Sequence, residues 1–238
     1  MATKKPIIFV VEADEYKSSM LNLNPDVIIL TRIEEDHMDY YQDLEYIREE
    51  FRHFVHKLPK NGVVISNWQD ENIRSIVEQP AVYVMGDEQA EGKAHKIVKY
   101  NTPIDAALLD KLRSVLKVHG AHNRENALAA YKAGEVLGLD SDTLFEGLTQ
   151  FTGAWRRMES VGEYKGIPVL SDYGHHPTEI KVTLEALREQ DPDKRLVLAY
   201  QPHQHNRTKT LFKDFITAFD EADVLVLSEI YDVAGREE

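Results

Sequence analysis

The chain has 238 residues, of which 42% are hydrophobic, so it is long enough for one large or two ordinary domains with a packed core. Its formal net charge of −13, from 41 acidic and 28 basic residues, argues against non-specific nucleic-acid binding, which requires a positive field. Cysteine is absent, which excludes a disulfide framework and a thiolate metal site. No apolar run is long enough to span a membrane and no signal-peptide pattern occurs. We therefore expect a soluble cytoplasmic protein with no membrane partner.

Short apolar runs alternate with helix-like stretches along the chain. The predicted strands are Ile7–Val11, Val27–Thr31, Val63–Ser66, Ala81–Met85, Val169–Ser171, Leu196–Tyr200 and Val224–Ser228. The predicted helices are Leu44–Lys57, Asn123–Leu137, Ser141–Gln150 (with Ser141 as its N-cap), Thr178–Glu189 and Thr208–Ala222. Several strands are apolar almost throughout, which is typical of parallel strands that are buried on both faces. The alternation predicts an α/β fold with mostly parallel sheets and flanking helices.

A domain boundary is predicted near Phe151–Ala154, where a helix ends before the pair Thr152-Gly153. After it, strands and helices repeat as in a doubly wound, Rossmann-like sheet. We therefore predict one domain over residues 1–151 and a second over residues 152–238.

Polar and ionisable residues follow the ends of four predicted strands. They are EADE (12–15), EEDHMD (34–39), DYGHH (172–176) and QPH (201–203). Ligands of open α/β sheets bind at the carboxyl ends of the strands. Loops that are polar only because they face water would be just as polar at the other edge of the sheet. The concentration of polar residues at the carboxyl ends of the strands therefore favours a functional site.

Glu12 and His37 follow neighbouring predicted strands and could together hold a divalent cation. Mg²⁺ prefers oxygen ligands and keeps several waters, so this pair would form a sparse site that relies on phosphate for further ligands. The alternatives are a solvated acid at Glu12 and a capping or core histidine at His37. The acidic residues around His37 would also raise its proton affinity in competition with a metal.

The predicted helix that contains AHNRENALAA (121–130) carries His122, Asn123 and Asn126 in its first turn. The two asparagines are three residues apart and share a face, so their carboxamides could pair with an adenine. Ordinary N-capping is the alternative. The pair Arg156-Arg157 lies at the predicted boundary and could reach a phosphate across a cleft, although paired surface arginines often have no function.

The chain resembles the Mur ligases, the ATP-dependent amide-forming enzymes of peptidoglycan synthesis, over nearly its whole length. The matching segments, in family order, are EADE (12–15), EEDHMDYY (34–41), GAHNRENALAA (120–130), GAWRRME (153–159), SDYGHHPTE (171–179) and QPH with Arg207-Thr208. DYGHHPTE, together with QPH and the following Arg-Thr pair, is most similar to the alanine-adding members.

The resemblance implies ATP and Mg²⁺ as cofactors and UDP-N-acetylmuramate and L-alanine as substrates. ATP would phosphorylate the muramoyl carboxylate, and the amino group of L-alanine would attack the acyl phosphate. The implied roles are Glu12 and His37 as Mg²⁺ ligands; His122, Asn123 and Asn126 near adenine; Arg157 near the γ-phosphate; Asp172 near the ribose; and Tyr173, His175, His176, His203 and Arg207 around the reacting carboxylate and amino acid. Catalytic roles are thereby implied for His37, Arg157, His175, His176 and Arg207.

Several positions depart from the family pattern. Arg32 stands where an Asn is usual, His119 where a Pro is usual, and Gln204 where the alanine-adding members commonly have Arg. No Lys lies between His37 and Lys57, so a carbamylated lysine is not available there.

No G-x-x-x-x-G-K-[ST] phosphate loop occurs in the 238 residues. We therefore expect the later part of a central ATP-binding domain and the first part of a C-terminal domain, which would not turn over substrate alone. Two alternatives stay open: a peptide-recycling ligase that adds a tripeptide to the same acceptor, and a non-catalytic pseudo-ligase that only binds.

Overall fold

The computed structural model describes residues 7–78 and 95–231 and has the alternating α/β order that the sequence predicts. The strands are β1 Val27–Leu30, β2 Val63–Asn67, β3 Lys96–Tyr100, β4 Glu159–Tyr164, β5 Ile167–Ser171, β6 Val197–Tyr200 and β7 Val224–Leu227. The helices are α1 Leu44–His56, α2 Glu71–Val77, α3 Ala106–Val115, α4 Ala121–Val136, α5 Ser141–Gln150, α6 Pro177–Gln190, α7 His205–Thr210 and α8 Phe212–Ala218, with 3-10 turns at Tyr16–Asn22 and Pro103–Asp105. Within the described ranges, no helix is both long and apolar enough to cross a membrane.

The first lobe, residues 7–78 and 95–150, is built on a parallel sheet in the order β1-β2-β3. Val63 of β2 lies opposite Val27 on one side and Lys96 on the other. Every residue of β2 is buried, because α1 and α2 cover one face of the sheet and α3 and α4 cover the other. The parallel register brings the carboxyl ends of β1 and β2 to one edge of the sheet.

The second lobe, residues 156–231, contains the antiparallel hairpin β4–β5 and the parallel pair β6–β7. Helices α6 and α8 pack against β6 through a small apolar core. Its buried members are Ile180, Leu184, Tyr200, Leu211, Phe215 and Ala218.

The helix starts follow from local capping chemistry. Helix α1 begins after Asp43, whose carboxylate accepts the backbone N–H of Tyr46 at 2.8 Å. Helix α5 is capped in the same way by Asp140, which accepts the N–H of Thr143 at 2.9 Å. The prediction of Ser141 as the N-cap was therefore wrong by one residue: Ser141 is already helical, while Asp140 keeps the extended backbone of a cap.

The predicted strand Ile7–Val11 is wrong: the segment is irregular and exposed, with Ile7 98% and Phe9 86% accessible. An apolar run becomes a strand only when a neighbour pairs with its backbone, and no strand in the described ranges does so. The predicted helix Thr208–Ala222 is divided at Leu211 into α7 and α8. The predicted strand Ala81–Met85 lies outside the described residues.

Strands β3 and β4 and helices α2 and α3 of the described ranges were not predicted. Strand β4 reads ESVGEY and has no apolar run, β3 reads KIVKY with lysines at its first and fourth positions, and α2 has only seven residues. Helix α3 does carry a helical apolar pattern in Leu108, Leu109 and Leu112, and this signal could have been recognised.

The two lobes meet where the start of α4 lies against α6. Gly120, the N-cap of α4, has φ +95°, and a Cβ built there would lie 2.6 Å from the Cβ of Ala186. Arg124 Nη1 donates to both oxygens of Glu189 at 3.1 Å. A glycine is therefore required at the junction both for its backbone conformation and for the close approach of the two helices.

We expect Gly120→Ala to destabilise the chain more than Gly138→Ala, as measured by urea unfolding. Both glycines have positive φ, but a Cβ at Gly138 would meet no atom within 4 Å. Gly138→Ala thus reports backbone strain of about 1–2 kcal/mol, and Gly120→Ala should add roughly 1–3 kcal/mol because the new Cβ would overlap Ala186 of α6 and the ring of His122. Equal losses would show that the two helices are not in contact in solution.

Candidate active site between the two lobes

The loop that follows β1 is fixed to the first lobe by polar side chains at the end of β2 and the start of α2. Asn67 Nδ2 donates to the carbonyl of Thr31 at 3.0 Å, and Asp70 Oδ2 accepts the N–H of Ile33 at 3.1 Å. Asn72 Nδ2 donates to the carbonyl of Ile33 at 2.8 Å. These three bonds hold the residues after Ile33 at the carboxyl edge of the sheet, facing the second lobe.

The acidic triplet, Glu34-Glu35-Asp36, contacts the second lobe through each of its residues in turn. Thr178 Oγ1 donates to Glu34 Oε2 at 2.8 Å, and His176 Nε2 lies 3.0 Å from the carbonyl oxygen of Glu35. Because His176 Nδ1 accepts the N–H of Thr178 at 3.3 Å, Nε2 is the nitrogen that donates to this carbonyl.

Asp36 makes the strongest contact of the triplet. Its Oδ1 accepts N–H bonds from Arg207 Nε at 2.9 Å and Arg207 Nη2 at 2.7 Å, and its Oδ2 lies 3.8 Å from Nε2 of both His37 and His175. Burial alone would raise the pKa of Asp36, but the nearby His175 side chain and the charges of Arg207 and His37 hold that pKa well below its usual range. Asp36 is therefore a carboxylate shared by three side chains that sequence analysis had assigned to the site.

His37 has a left-handed backbone, with φ +54°, and its ring is turned toward Glu15. Nε2 lies 3.3 Å from Glu15 Oε1, and the ring centroid is 4.9 Å from that of Tyr16. Burial lowers the pKa of His37, but the hydrogen bond to Glu15 and the negative charge of Asp36 more than offset it, so that the pKa is raised. Glu15, rather than the predicted Glu12, is the acid beside His37; Glu12 is exposed and has no hydrogen bond to the described residues.

A magnesium site at His37 would be sparse. Its Nδ1 is buried without a hydrogen-bond partner, so this nitrogen could serve a ligand. Over residues 7–78 and 95–231, however, no group of three or more His, Asp or Glu side chains is arranged to hold a metal. The raised pKa also opposes metal binding, which requires a neutral imidazole. His37 Nδ1 could thus contribute at most one ligand to an ion held mainly by water and phosphate, and the assignment of Glu12 and His37 stays a prediction.

The histidine loop, residues 172–179, is organised by two carboxylates. Asp172 accepts the N–H of Gly174 at 2.7 Å and that of Met158 at 2.8 Å, which ties the loop to the start of the second lobe. Glu179 Oε2 accepts the N–H groups of His175 at 2.9 Å and His176 at 3.2 Å. Together with Pro177 at the first position of α6, these bonds form a capping box that fixes both histidines.

Arg157 lies at the same loop, where its Nη1 is 3.1 Å from Glu179 Oε1. Burial raises the pKa of Glu179. The N–H bonds from His175 and His176 and the charges of His175 and Arg157 lower it by more, so the pKa of Glu179 lies below its usual value. Tyr173 is stacked under Arg156, with the guanidinium carbon 4.5 Å from its ring centroid. An ionised Glu179 therefore orients Arg157 beside the histidine loop.

The predicted adenine-side residues lie in the first two turns of α4, and no hydrogen bond joins them to one another within the described residues. Asn123 Nδ2 donates to the carbonyl of His119 at 2.7 Å, and Asn126 is exposed. His122 is partly buried, its Nδ1 has no hydrogen-bond partner among the described residues, and burial is the main cause that lowers its pKa. The negative charge of Asp172 acts on the pKa of His122 in the opposite direction, so these two residues, one from each lobe, are close enough to interact.

His203 lies at the edge of the site. Its ring stacks on that of Tyr231 at 5.3 Å, and its centroid is 6.5 Å from that of His175. Of the residues predicted from sequence, the structure brings together His37, His175, His176, Arg207 and Arg157, with His203 adjacent. The structure leaves Glu12 and Asn126 without a partner in this cluster.

A cleft of about 160 Å³ opens beside the acidic triplet at the junction of the lobes. Its lining includes Glu15, Arg32, Glu34, Tyr41, His176 and Glu179. Arg32 Nη1 lies 3.8 Å from Glu34 Oε2 and its side chain is 52% exposed, so this cation is available to an anionic ligand. The cleft is thus lined by four carboxylates, one guanidinium and one imidazole, together with the apolar side chains of Ile33, Ile47 and Phe51.

Four acids of the site were not predicted from the sequence, although each lies in a segment that matches the family motifs: Glu15, Glu34, Asp36 and Glu179. The acidic triplet is visible in the sequence, but its partners lie more than 140 residues away along the chain. Only the presence of an acid directly before a predicted site histidine could have singled out Asp36.

The ion pair of His37 with Glu15 predicts a pH-dependent stability. Since the pKa of His37 is raised on folding, its contribution is fully present below the unfolded-state value of about 6.5 and is lost as pH rises through the folded pKa. Glu15→Gln should therefore lower the melting temperature at pH 6 by an amount equivalent to roughly 0.5–1 kcal/mol, and by less at pH 8.5.

The matched control is Glu12→Gln, which makes the same charge change at an exposed residue three positions away. It should leave melting unchanged at both pH values. A loss in Glu15→Gln that is equal at pH 6 and pH 8.5 would contradict the ion pair.

Comparison with known proteins identifies the class. Residues 1–134 match the Mur ligase middle domain and residues 156–237 match the domain described as Mur ligase, glutamate ligase domain. Because the first match alone covers more than half of the chain, the chain belongs to the Mur ligase family. The resemblance found from sequence motifs is confirmed, while the domain division at residues 151 and 152 stays a prediction.

The curated relatives compared below share one name, UDP-N-acetylmuramate–L-alanine ligase. The UDP-N-acetylmuramate–L-alanine ligase of Caldicellulosiruptor saccharolyticus is 36% identical over 236 residues, covering 96% of this chain and 51% of that protein. The enzyme of the same name from Trichlorobacter lovleyi is 41% identical, covering 93% and 50%. The chain thus spans about half the length of the curated relatives it matches.

Solved structures confirm the fold class. The UDP-N-acetylmuramate-alanine ligase MurC of Thermotoga maritima aligns with a TM-score of 0.62 at 22% identity, covering 90% of this chain and 48% of that one. MurF of Acinetobacter baumannii aligns with a TM-score of 0.64 at 18% identity, covering 88% and 48%. At these identities the likeness concerns the fold.

Proposed function

We propose that this chain supplies the interlobe part of the active site of a cytoplasmic, ATP- and Mg²⁺-dependent ligase that joins L-alanine to UDP-N-acetylmuramate through an acyl phosphate. The observation that carries the proposal is the convergence of His37, His175 and Arg207 on the carboxylate of Asp36, across the lobe junction. The names of the relatives and the pairing of DYGHHPTE with QPH and Arg207-Thr208 favour alanine as the added amino acid.

In this proposal the chain's residues act by position and charge. Arg157, oriented by Glu179, faces the phosphate that is transferred, and Arg207 faces a carboxylate of the substrates. Mg²⁺, when bound near His37, would neutralise charge on the phosphates. Closure of the lobes excludes water, which would otherwise hydrolyse an acyl phosphate before the amine attacks. Asn123, Asn126, His122 and Asp172 are proposed for the nucleoside, and Tyr173 and His203 for the amino acid.

The test is a chimera in which this chain replaces the matched 236-residue region of the Caldicellulosiruptor saccharolyticus ligase. The relative itself is the positive control. We expect phosphate release from ATP that depends on both UDP-N-acetylmuramate and L-alanine, with the muramoyl-alanine product detected by mass spectrometry. A chimera that folds, as judged by cooperative melting, but releases no phosphate with either L-alanine or the tripeptide would contradict a catalytic role and favour the binding-module alternative.

The amine substrate, L-alanine or a tripeptide, separates the two ligase alternatives. L-alanine and a preformed tripeptide are supplied in parallel to the same chimera at equal concentrations. Turnover with the tripeptide and not with L-alanine would assign the chain to the peptide-recycling class instead.

A further inference from the structure

The acidic triplet performs a task that the proposed function leaves unassigned. Glu34, Glu35 and Asp36 hold Thr178, His176 and Arg207 of the second lobe, in that order. The contact by Glu35 uses its backbone carbonyl, whereas those by Glu34 and Asp36 use their carboxylates. One short segment of the first lobe thus makes hydrogen bonds to the second lobe at three points.

Asp36 differs from its neighbours because it also holds the next residue of its own loop. Its Oδ1 accepts the backbone N–H of His37 at 2.7 Å in addition to two N–H bonds from Arg207. The left-handed backbone of His37 is uncommon for a residue other than glycine, so this bond helps to keep it there. A single oxygen therefore connects the position of the second lobe to the backbone of His37.

The geometry also fixes which edge of the Arg207 guanidinium binds Asp36. The Nε and Nη2 groups are bound to Asp36, whereas Nη1 makes no hydrogen bond to the described residues. The side chain of Arg207 is only 5% exposed, so the guanidinium cannot turn freely. The pocket that Arg207 lines with His37 and Gln204 has a volume of only about 10 Å³ and also contains the carboxylates of Glu35, Asp36 and Asp39, so in this closed arrangement it has room for a water molecule and not for a substrate.

We propose that Asp36 is a positioning residue that holds the two lobes closed and fixes the orientation of the Arg207 guanidinium through its Nε and Nη2 groups. Neither role depends on the substrates named in the proposed function. Without Asp36, Arg207 would be a buried cation without its partner, and it regains solvation only if the lobes separate. Opening would in turn withdraw His175 and His176 from the first lobe.

Lobe closure can be measured on the 238-residue chain without any ligand. The chain contains no cysteine, so spin labels can be attached at two introduced cysteines, Glu71→Cys in α2 and Ile216→Cys in α8. Both positions are exposed, Glu71 with 89% of its side chain and Ile216 at 60%. We expect one narrow distance distribution for the parent, and for Asp36→Asn a loss of at least about half of that peak to longer distances.

The matched control is Glu35→Gln, which removes the same charge one residue away and leaves the backbone carbonyl that binds His176. It should keep the parent distribution. An unchanged distribution in Asp36→Asn, or an equal change in Glu35→Gln, would overturn the proposal. If Asp36→Asn does not melt cooperatively, Arg207→Lys takes its place, because lysine keeps the charge but cannot supply the Nε and Nη2 pair.

Hydrogen exchange of the Arg207 side chain, followed by NMR, distinguishes a specific hold of Asp36 on Arg207 from a general effect of Asp36 on stability. The Nε–H signal of Arg207, assigned by its absence in Arg207→Lys, should exchange slowly with water in the parent and in Glu35→Gln. In Asp36→Asn the exchange should be at least about tenfold faster. Both readouts are independent of substrate, so an error in the proposed reaction leaves them interpretable, and slow exchange in Asp36→Asn would refute the hold on Arg207.

Discussion

Replacing Arg207 with methionine should lower the free energy of unfolding of this chain by about 2–4 kcal/mol, the cost of leaving one member of a buried ion pair without its partner. Arg207 is 5% exposed and donates two hydrogen bonds to Asp36, whose own side chain is 22% exposed. Methionine keeps most of the apolar stem, so the loss reports the guanidinium rather than a cavity. The measurement is urea unfolding at pH 7, monitored by circular dichroism.

Lys209→Met is the matched control for this change. Lys209 lies on the same helix, α7, and its substitution removes the same charge from an exposed position. We expect a change within about 0.5 kcal/mol. The variant that also carries Asp36→Asn should recover part of the Arg207→Met loss, because the uncompensated carboxylate is then gone. Equal losses in Arg207→Met and Lys209→Met would show that the lobes are not joined by this pair.

The second large effect is expected for His37→Ala in the active chimera. If His37 supports the cation and the phosphates as proposed, alanine-dependent phosphate release should fall about a hundredfold or more. Melting temperature should change much less, because the ring of His37 contributes to stability mainly through the partly exposed pair with Glu15. The measurement is kcat/KM for L-alanine at saturating ATP and Mg²⁺.

His53→Ala serves as its control. His53 lies on α1, pairs with Glu50 at 3.3 Å and is 36% exposed, so it shares the residue type without facing the second lobe. Its activity should equal that of the chimera. Retention of more than about a third of the activity by His37→Ala would remove His37 from the catalytic assignment.

Some of the fold could be predicted because its signals are local. The mostly apolar run at Val63–Ser66 predicts a doubly buried strand, and β2 is buried throughout. Helix α5 was predicted with its bounds, Ser141–Gln150. The run Ile7–Val11 is equally apolar and yet is not a strand, because a strand depends on a neighbour that composition does not specify.

The sequence by itself determined the family, through short motifs in a fixed order, and it determined which residue types are available to the site. Tertiary structure alone decided how they are partnered: Glu15 rather than Glu12 beside His37, and Asp36 opposite Arg207 across 171 positions of the chain. The physical reason is that an ion pair depends on distance and burial, and both are set by how the two lobes pack. Periodicity and motif spacing report only on neighbours along the chain.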